Sequence, residues 1–412
     1  MAERVRGNEA VGIGMLRKRE TPKDPSVTTS PTKPTELLAT LVGFDTTSAK
    51  SNLALIAFVQ ETLRGYGVDS VLVPSPDGDK ADLFATIGGK GDGGIGLSGH
   101  SDCVPVEGQS WSSDPFTLTE RSGKLYGRGT CDMKGFLACV LASVPLFKSS
   151  PLKEPIHIII SYDEEVGCMG IRPLIAKLGK DLPRPRAIIV GEPTSMAVID
   201  AHKRIDAYRT IVHGREAHSS LPALGVNGIS AAAALVGELD RIGANIAAKQ
   251  NDQRFEPPFS TVSVGTIKGG TAANIVPKTC EFQWQVRSLP SAAPADVPRD
   301  LTSFAKSTLL PRMRAVTQDA AIEIKAENSV PAFVASPRSD AVALALALTG
   351  ATETHAVSYT TEAGLFEMAG CPAVICGPGD IAQAHAADEY VSLKQLEACM
   401  AFLVGLAKEL SN

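Results

Sequence analysis

A chain of 412 residues with 44% apolar side chains exceeds one ordinary hydrophobic core and has the material for two domains. Its 40 basic and 45 acidic residues give a formal charge of −5, and with no lysine- or arginine-rich block this balance argues against nucleic acid or an anionic membrane as partner. No uninterrupted apolar span of the roughly 18 residues a membrane helix needs is evident, nor a signal-peptide pattern, so the expected location is the cytoplasm.

Residues 1–33 mix charges with Thr-Ser-Pro-Thr-Lys-Pro, show no apolar periodicity and are expected to form a disordered leader outside the fold. From Thr35 the pattern turns globular. Leu37, Leu38 and Leu41, then Leu53, Leu55, Ile56, Val59 and Leu63, recur at helical spacing, and strands are predicted at 69–73 and 82–87. The next apolar run, Ile95 to Leu97, ends in Ser98-Gly99 and opens onto His100 and Asp102. A ligating imidazole usually donates its other ring N–H to a carboxylate, a part Asp102 can play; taken alone, the pair reads more readily as a surface histidine beside a solvated acid. In LYGRGTCDMKG, Gly127 and Gly129 suit tight turns. Asp132 precedes a predicted buried helix over 136–147, as a ligand or as a simple cap.

The run over 156–162 leads into three consecutive carboxylates, Asp163, Glu164 and Glu165. Three adjacent negative charges repel unless a cation compensates them, and these emerge directly from IHIIISY, which places them at a sheet edge. Residues 187–190 lead in the same way to Glu192. Strands at 207–212, 261–267 and 279–287, helices at 229–247 and near 298–309, and a closing strand at 321–325 then read as an inserted α+β unit. Helices are predicted at 340–349 and 392–409. Between them a last apolar strand, 373–376, runs through GPGDIAQA to His385.

Four apolar strands, each followed by a candidate ligand, predict an α/β fold: a mixed, mostly parallel sheet flanked by helices, with the site outside the carboxyl ends of the strands. His100, Asp132, Glu165, Glu192 and His385 form the inventory of a two-metal hydrolytic centre. Mixed imidazole and carboxylate donors suit zinc, cobalt or manganese. None of the eight cysteines forms a C-x-x-C pair; they read as reduced core thiols, Cys103 and Cys131 beside the site included.

Together the motifs GFDTTS, SGHSDCVPVEGQSWSSDPF, LYGRGTCDMKG, SYDEEVGCMG, VGEPTSM, GREAHSS, GGTAANIVP, TTEAGLF and CGPGDIAQAHAADEY, in that order over about residues 34–412, resemble the peptidase family M20 metallohydrolases, and among them the acetylornithine deacetylases of arginine biosynthesis. The resemblance implies a di-metal catalytic domain in two parts, 34–205 and 328–412, around a lid and dimerisation domain at 206–327. One ion would take His100, Glu192 and a bridging Asp132, the other Asp132, Glu165 and His385. Both would be zinc, with cobalt able to substitute.

It further implies hydrolysis of N2-acetyl-L-ornithine to L-ornithine and acetate by attack of a metal-bridging water, with Glu164 as general acid/base and Asp102 as the partner of His100. A related N-acyl amino acid, succinyl-diaminopimelate or a dipeptide is the alternative substrate. His218 would reach the oxyanion across a homodimer, Asn274 and Arg287 would hold the substrate's carboxylate and backbone-like atoms, and Glu362 would face its side-chain amine. Local readings also exist: His218 bonded through Ser219 and Ser220, Asn274 in a capped turn, Arg287 at a strand end on the surface, and Glu362 in the first turn of a helix. Lys203-Arg204, Gln283-Trp284-Gln285 and Ala386-Ala387 depart from the family pattern and bear on side-chain specificity. A non-catalytic binding protein on the same fold would require a lost ligand or base, and all six residues are present.

Overall fold

The computed structural model describes residues 33–89, 91–292 and 296–412. The expected leader, apart from Lys33, lies outside them. A nine-stranded sheet organises the larger unit in the order Ser70–Pro74, Ala81–Ile87, Ile156–Ser161, Ile95–His100, Ala187–Val190, Ala373–Ile375, Ile199–His202 and Phe333–Val334, with His355–Val357 also paired to Ile199–His202. The four central strands, from Ile156–Ser161 to Ala373–Ile375, are mutually parallel, and antiparallel strands close both flanks. Their unbroken apolar runs follow from burial on both faces: every residue of Ile95–His100, Ile156–Ser161 and Ala187–Val190 is buried.

One face is covered by the helices Pro34–Val42, Gly135–Ser149 and Leu393–Glu409, which share a core with Leu97, Ile158 and Ile189. The other face packs Ile171, Phe333 and Phe366 against Ile159 and Ile188. Among the described residues Thr130–Ser149 is the one helix long and apolar enough to cross a membrane by length and composition, a span the sequence pattern did not single out. It is 89% buried inside this fold, as the central helix of a core is. Glycines bring strand ends close to that helix. A Cβ at Gly191 would stand 2.1 Å from the Phe136 ring, so only glycine lets the chain turn there into Glu192.

A second, four-stranded antiparallel sheet runs Thr261–Gly269, Thr279–Ser288, Arg204–His213, Ala321–Val330 and packs one face on the helix Gly228–Ala247. Thr279–Ser288 alternates buried and half-exposed residues along its length. Trp284, buried within it, donates its indole N–H to Thr210 Oγ1 at 2.9 Å. This sheet extends beyond residues 206–327 at both ends. The reason is polar pairing at the join: Arg204 forks onto Asp206 at 2.6 and 2.7 Å and reaches Ser329 Oγ at 2.8 Å, which carries the ladder past the apolar stretch. Lys203 alone separates Ile199–His202 of the first sheet from Arg204–His213 of the second.

Asp82 occupies the interior of Ala81–Ile87, fully buried, and neither carboxylate oxygen has a partner among the described residues. Burial, then the charge of Glu362, pushes its pKa from 3.8 to about 9. The folded chain therefore keeps a proton that the unfolded chain releases near pH 4, and Asp82 destabilises progressively as pH rises from there to about 9. Asp82→Asn, neutral in both states, is expected to stabilise the metal-free protein at pH 8 by about 1–3 kcal/mol, or roughly 2–4 °C per kcal/mol. The gain should fade towards pH 4. Thermal melts at the two pH values check this, and an identical shift at both contradicts it.

Candidate metal centre

Every cluster residue but Asp132 follows from a chain reversal at the carboxyl end of the parallel strands. His100 ends its strand, Glu164 and Glu165 follow Ile156–Ser161, and Glu192 follows Ala187–Val190. Ile156–Ser161 is an interior strand, so the acidic run lies at the carboxyl-terminal rim of the sheet and not at a lateral edge. Asp132 lies in the turn that opens the central helix, and His385 in the loop after Ala373–Ile375, in the left-handed region at φ 61°. Asp132 touches both imidazoles: Oδ1 is 3.0 Å from His100 Nε2 and Oδ2 is 3.3 Å from His385 Nε2. Glu165 Oε2 lies 3.0 Å from His385 Nε2, and Glu192 Oε1 lies 3.9 Å from His100 Nε2. Ligand atoms of His100, Glu164 and Glu192, and those of His100, Asp132 and Glu165, all lie within 4.8 Å of one another.

His100 donates Nδ1–H to the Asp102 carbonyl at 2.9 Å, with the Asp102 carboxylate farther off at 3.5 Å. That bond leaves the Nε2 lone pair facing the cluster. The Asp102 carboxylate is engaged elsewhere. It accepts from Ser48 Oγ at 2.7 Å and from the backbone N–H groups of Glu164 and Glu165 at 3.2 and 3.3 Å, so one acid both orients the imidazole and pins the turn carrying two more. Asp163 leaves the cluster altogether, in an ion pair with Lys80. Lys80 is the cation that the sequence reading of the acidic run did not identify.

The electrostatics test whether cations fit. Burial raises Glu164 and Glu192 well above the usual carboxylate range and Glu165 to about 7. Hydrogen bonds to Asp132 and Glu165 raise His385 to about 10. Burial works against ionisation of Asp132, but its bonds to His100 and His385 hold it below the usual range. Four carboxylates crowd two imidazoles, and Glu165 Oε1 is buried without a partner among the described residues. An all-oxygen-and-imidazole donor set with surplus negative charge and an orphaned oxygen is one that divalent ions satisfy.

Arg287 lines one cleft with Asp132, Glu164, Glu165, Glu192 and His385, beside Ile205, Val330, Tyr359 and Ile381. The nearest acceptor for its guanidinium among the described residues is the Ser358 carbonyl at 3.5 Å. His218 and Asn274 do not line the cleft. They stand together on the second unit, where the two-residue strand Ala217–His218 pairs with Ile275–Val276. Both are exposed, His218 Nδ1 meeting Ser220 Oγ at 2.8 Å and Asn274 accepting through its carbonyl from Ser219 N–H at 2.9 Å. Glu362 lies apart from them. It is 1% exposed, with Ser98 Oγ 3.5 Å from Oε2 and Oε1 without a partner among the described residues, and it is absent from the cleft lining.

Arg128, Gln109 and Glu389, which support Asp132 and His385, escaped sequence reading. Their signal was present only as polar residues in GRG, EGQ and HAADEY, without apolar periodicity.

The strand-end cluster, its acid pair on one turn and the two-sheet architecture make a site whose donors could hold divalent metal ions. A sequence profile of the peptidase family M20/M25/M40 matches residues 96–409, and the chain belongs to that family. It is 36% identical over 378 residues to the acetylornithine deacetylase of Myxococcus xanthus, covering 89% of this chain and 94% of that one. The acetylornithine deacetylase of Shigella sonnei is 34% identical over 346 residues, covering 84% and 88%. Among solved structures, the M20 family metallo-carboxypeptidase Sso-CP2 of Sulfolobus solfataricus superposes with a TM-score of 0.72 at 18% identity, covering 92% of this chain and 99% of its own. A tripeptidase of Staphylococcus aureus gives 0.71 at 18% identity, covering 92% and 98%. These structures share the fold, and the family implies a dinuclear metal site at the cluster described here.

Proposed function

We propose that this protein is a zinc-dependent amidohydrolase that removes the acetyl group from N2-acetyl-L-ornithine, giving L-ornithine and acetate. The observation that carries the reading is a nearly unpartnered, half-buried guanidinium, Arg287, in one cleft with Glu164 and four of the five candidate ligands, Asp132, Glu165, Glu192 and His385. The names of relatives at 34–36% identity supply the substrate.

His100, Glu192 and Asp132 would hold one ion, and Asp132, Glu165 and His385 the other; cobalt could substitute for zinc. Bound there, two such ions acidify a water and polarise the scissile carbonyl. Glu164 takes the proton of the attacking water on its carboxylate and returns it to the leaving amine nitrogen, a task suited to a carboxylate that lines the cleft beside the candidate ligands. Arg287 fixes the substrate carboxylate by its planar fork. His218 and Asn274, exposed on the second unit, would act on the cleft of a second copy in a homodimer, His218 donating to the oxyanion. A mass measurement in solution tests the dimer.

A second reading has its own support. Beyond the cluster and Glu164, the cleft offers no carboxylate among the described residues to meet an ornithine ammonium; Ile205, Val330 and Ile381 stand there instead. That lining favours another N-acyl amino acid. Succinyl-diaminopimelate and dipeptides belong to the same comparison.

The decisive experiment assays zinc- and cobalt-loaded protein against N2-acetylornithine, other N-acetyl amino acids, succinyl-diaminopimelate and dipeptides, with chelator-treated protein as control. Preference for N2-acetylornithine supports the first reading, and preference for another member moves the substrate while keeping the chemistry. No metal-dependent hydrolysis across the panel would end the amidohydrolase reading. Arg287→Met should lower kcat/KM about 10- to 100-fold on carboxylate-bearing substrates, mainly through KM, since a charge-assisted hydrogen bond contributes about 1.5–3 kcal/mol. An unchanged KM would remove Arg287 from substrate binding.

A further inference from the structure

The carboxylate of Glu389, 1% exposed, accepts four hydrogen bonds. Oε1 takes the backbone N–H groups of Cys131 at 2.8 Å and Asp132 at 3.1 Å, and Oε2 takes Gly129 N–H at 3.0 Å and Arg128 Nη1 at 2.7 Å. Its lone-pair sites are filled, and three of the four donors belong to the turn that delivers Asp132. Arg128 is equally buried and carries the connection onward. Its Nη1 also donates to the Ala386 carbonyl at 3.3 Å, its Nη2 to Gln109 Oε1 and the Pro105 carbonyl, and its guanidinium lies 5.0 Å from the Trp111 ring. Gln109 Nε2 closes the circuit on the His385 carbonyl at 2.8 Å.

His385 and Asp388 both hold left-handed backbone, φ 61° and 56°, which non-glycine residues keep only where the surroundings over-determine them. Here the surroundings are this network and the bonds from Ser112 N and Oγ to Asp388 at 2.9 and 2.7 Å. A single buried ion pair therefore braces, from behind, two residues 253 positions apart that converge on one cluster (385 − 132).

We propose that Glu389 and Arg128 are positioning residues that set the spacing of Asp132 and His385, and hence the affinity for the ion those two residues share. The proposal rests on the metal-centre reading above. Neither residue touches substrate or ion. Glu389→Gln keeps the shape but turns one acceptor into an N–H₂ group facing two donors, Gly129 N–H and Arg128, so the turn must shift. Loss of a supporting bond of this kind weakens metal affinity by about 10- to 100-fold.

The test titrates metal-free full-length protein with Co²⁺ and follows its visible absorption, with circular dichroism to establish that each variant is folded. Wild type should take two equivalents. In Glu389→Gln the step of the ion that Asp132 and His385 share should move to about 10- to 100-fold higher Co²⁺, with altered absorption, and the other step, which Asp132 also serves, should move less. Two wild-type midpoints and spectra in the folded variant would overturn the proposal. Should that variant fail to fold, Gln109→Ala, a half-buried change that releases the His385 carbonyl, one Arg128 contact and the Trp111 indole N–H, is judged by the same criterion on the step of the ion that Asp132 and His385 share. A wild-type chain binding fewer than two equivalents would instead overturn the metal-centre reading, and the proposal with it.

Discussion

Glu164→Gln should retain two divalent ions per chain and lose about 10²- to 10⁴-fold in kcat, the usual contribution of a positioned general base. The substitution is close to isosteric at a site where the side chain is enclosed by the cluster and accepts a weak bond from Cys168 Sγ at 3.4 Å. The bonds holding the turn come from the backbone N–H groups of Glu164 and Glu165 to Asp102, and an amide at Glu164 leaves them intact. What the amide cannot do is accept the water's proton and return it to the leaving nitrogen. Ion content by elemental analysis, with kcat on the best substrate of the panel, separates the two roles. Near-wild-type turnover would remove Glu164 as the base. Loss of ions together with turnover would make it a ligand, a role its place near His100 and Glu192 also permits geometrically.

Asp132→Ala is expected to have the larger effect on the metals. Asp132 is the side chain that contacts both His100 and His385, at 3.0 and 3.3 Å, and its two oxygens face the two halves of the cluster. Removing it takes one donor from each half at once, so both ions should bind more weakly and hydrolysis should fall by about 10³-fold or more, the several kcal/mol of charge stabilisation that bound ions provide. His100→Ala or His385→Ala should weaken one ion far more than the other. Native mass spectrometry of proteins dialysed against limiting zinc distinguishes these patterns. Equal, single-ion loss in all three variants would show that Asp132 does not bridge.

The sequence by itself determined the family, the α/β class and the inventory of acidic and imidazole residues. It could do so because a strand buried on both faces must be an unbroken apolar run, as in IHIIISY and AIIV, and the first polar residue after such a run must emerge at the end of the sheet. His100, Glu165 and Glu192 were legible for that reason.

Only the tertiary structure decided which acids share the cluster and which do not. Asp163, Glu164 and Glu165 are equivalent as letters, yet a φ of 55° at Asp163 and the approach of Lys80 turn the first away. Glu362 and Asp82 read as ordinary acids and turn out to be buried, with Glu362 Oε1 and both Asp82 oxygens lacking a partner among the described residues. Glu389 and Arg128 carried no periodic or motif signal, since what they do depends on backbone N–H groups brought to them by a turn more than 250 positions away in the chain. His218 and Asn274 meet each other through a two-residue ladder that pattern reading cannot see. Apolar periodicity reports local burial, which the chain encodes locally. Hydrogen-bond partners across long sequence separations exist only once the sheet order is set.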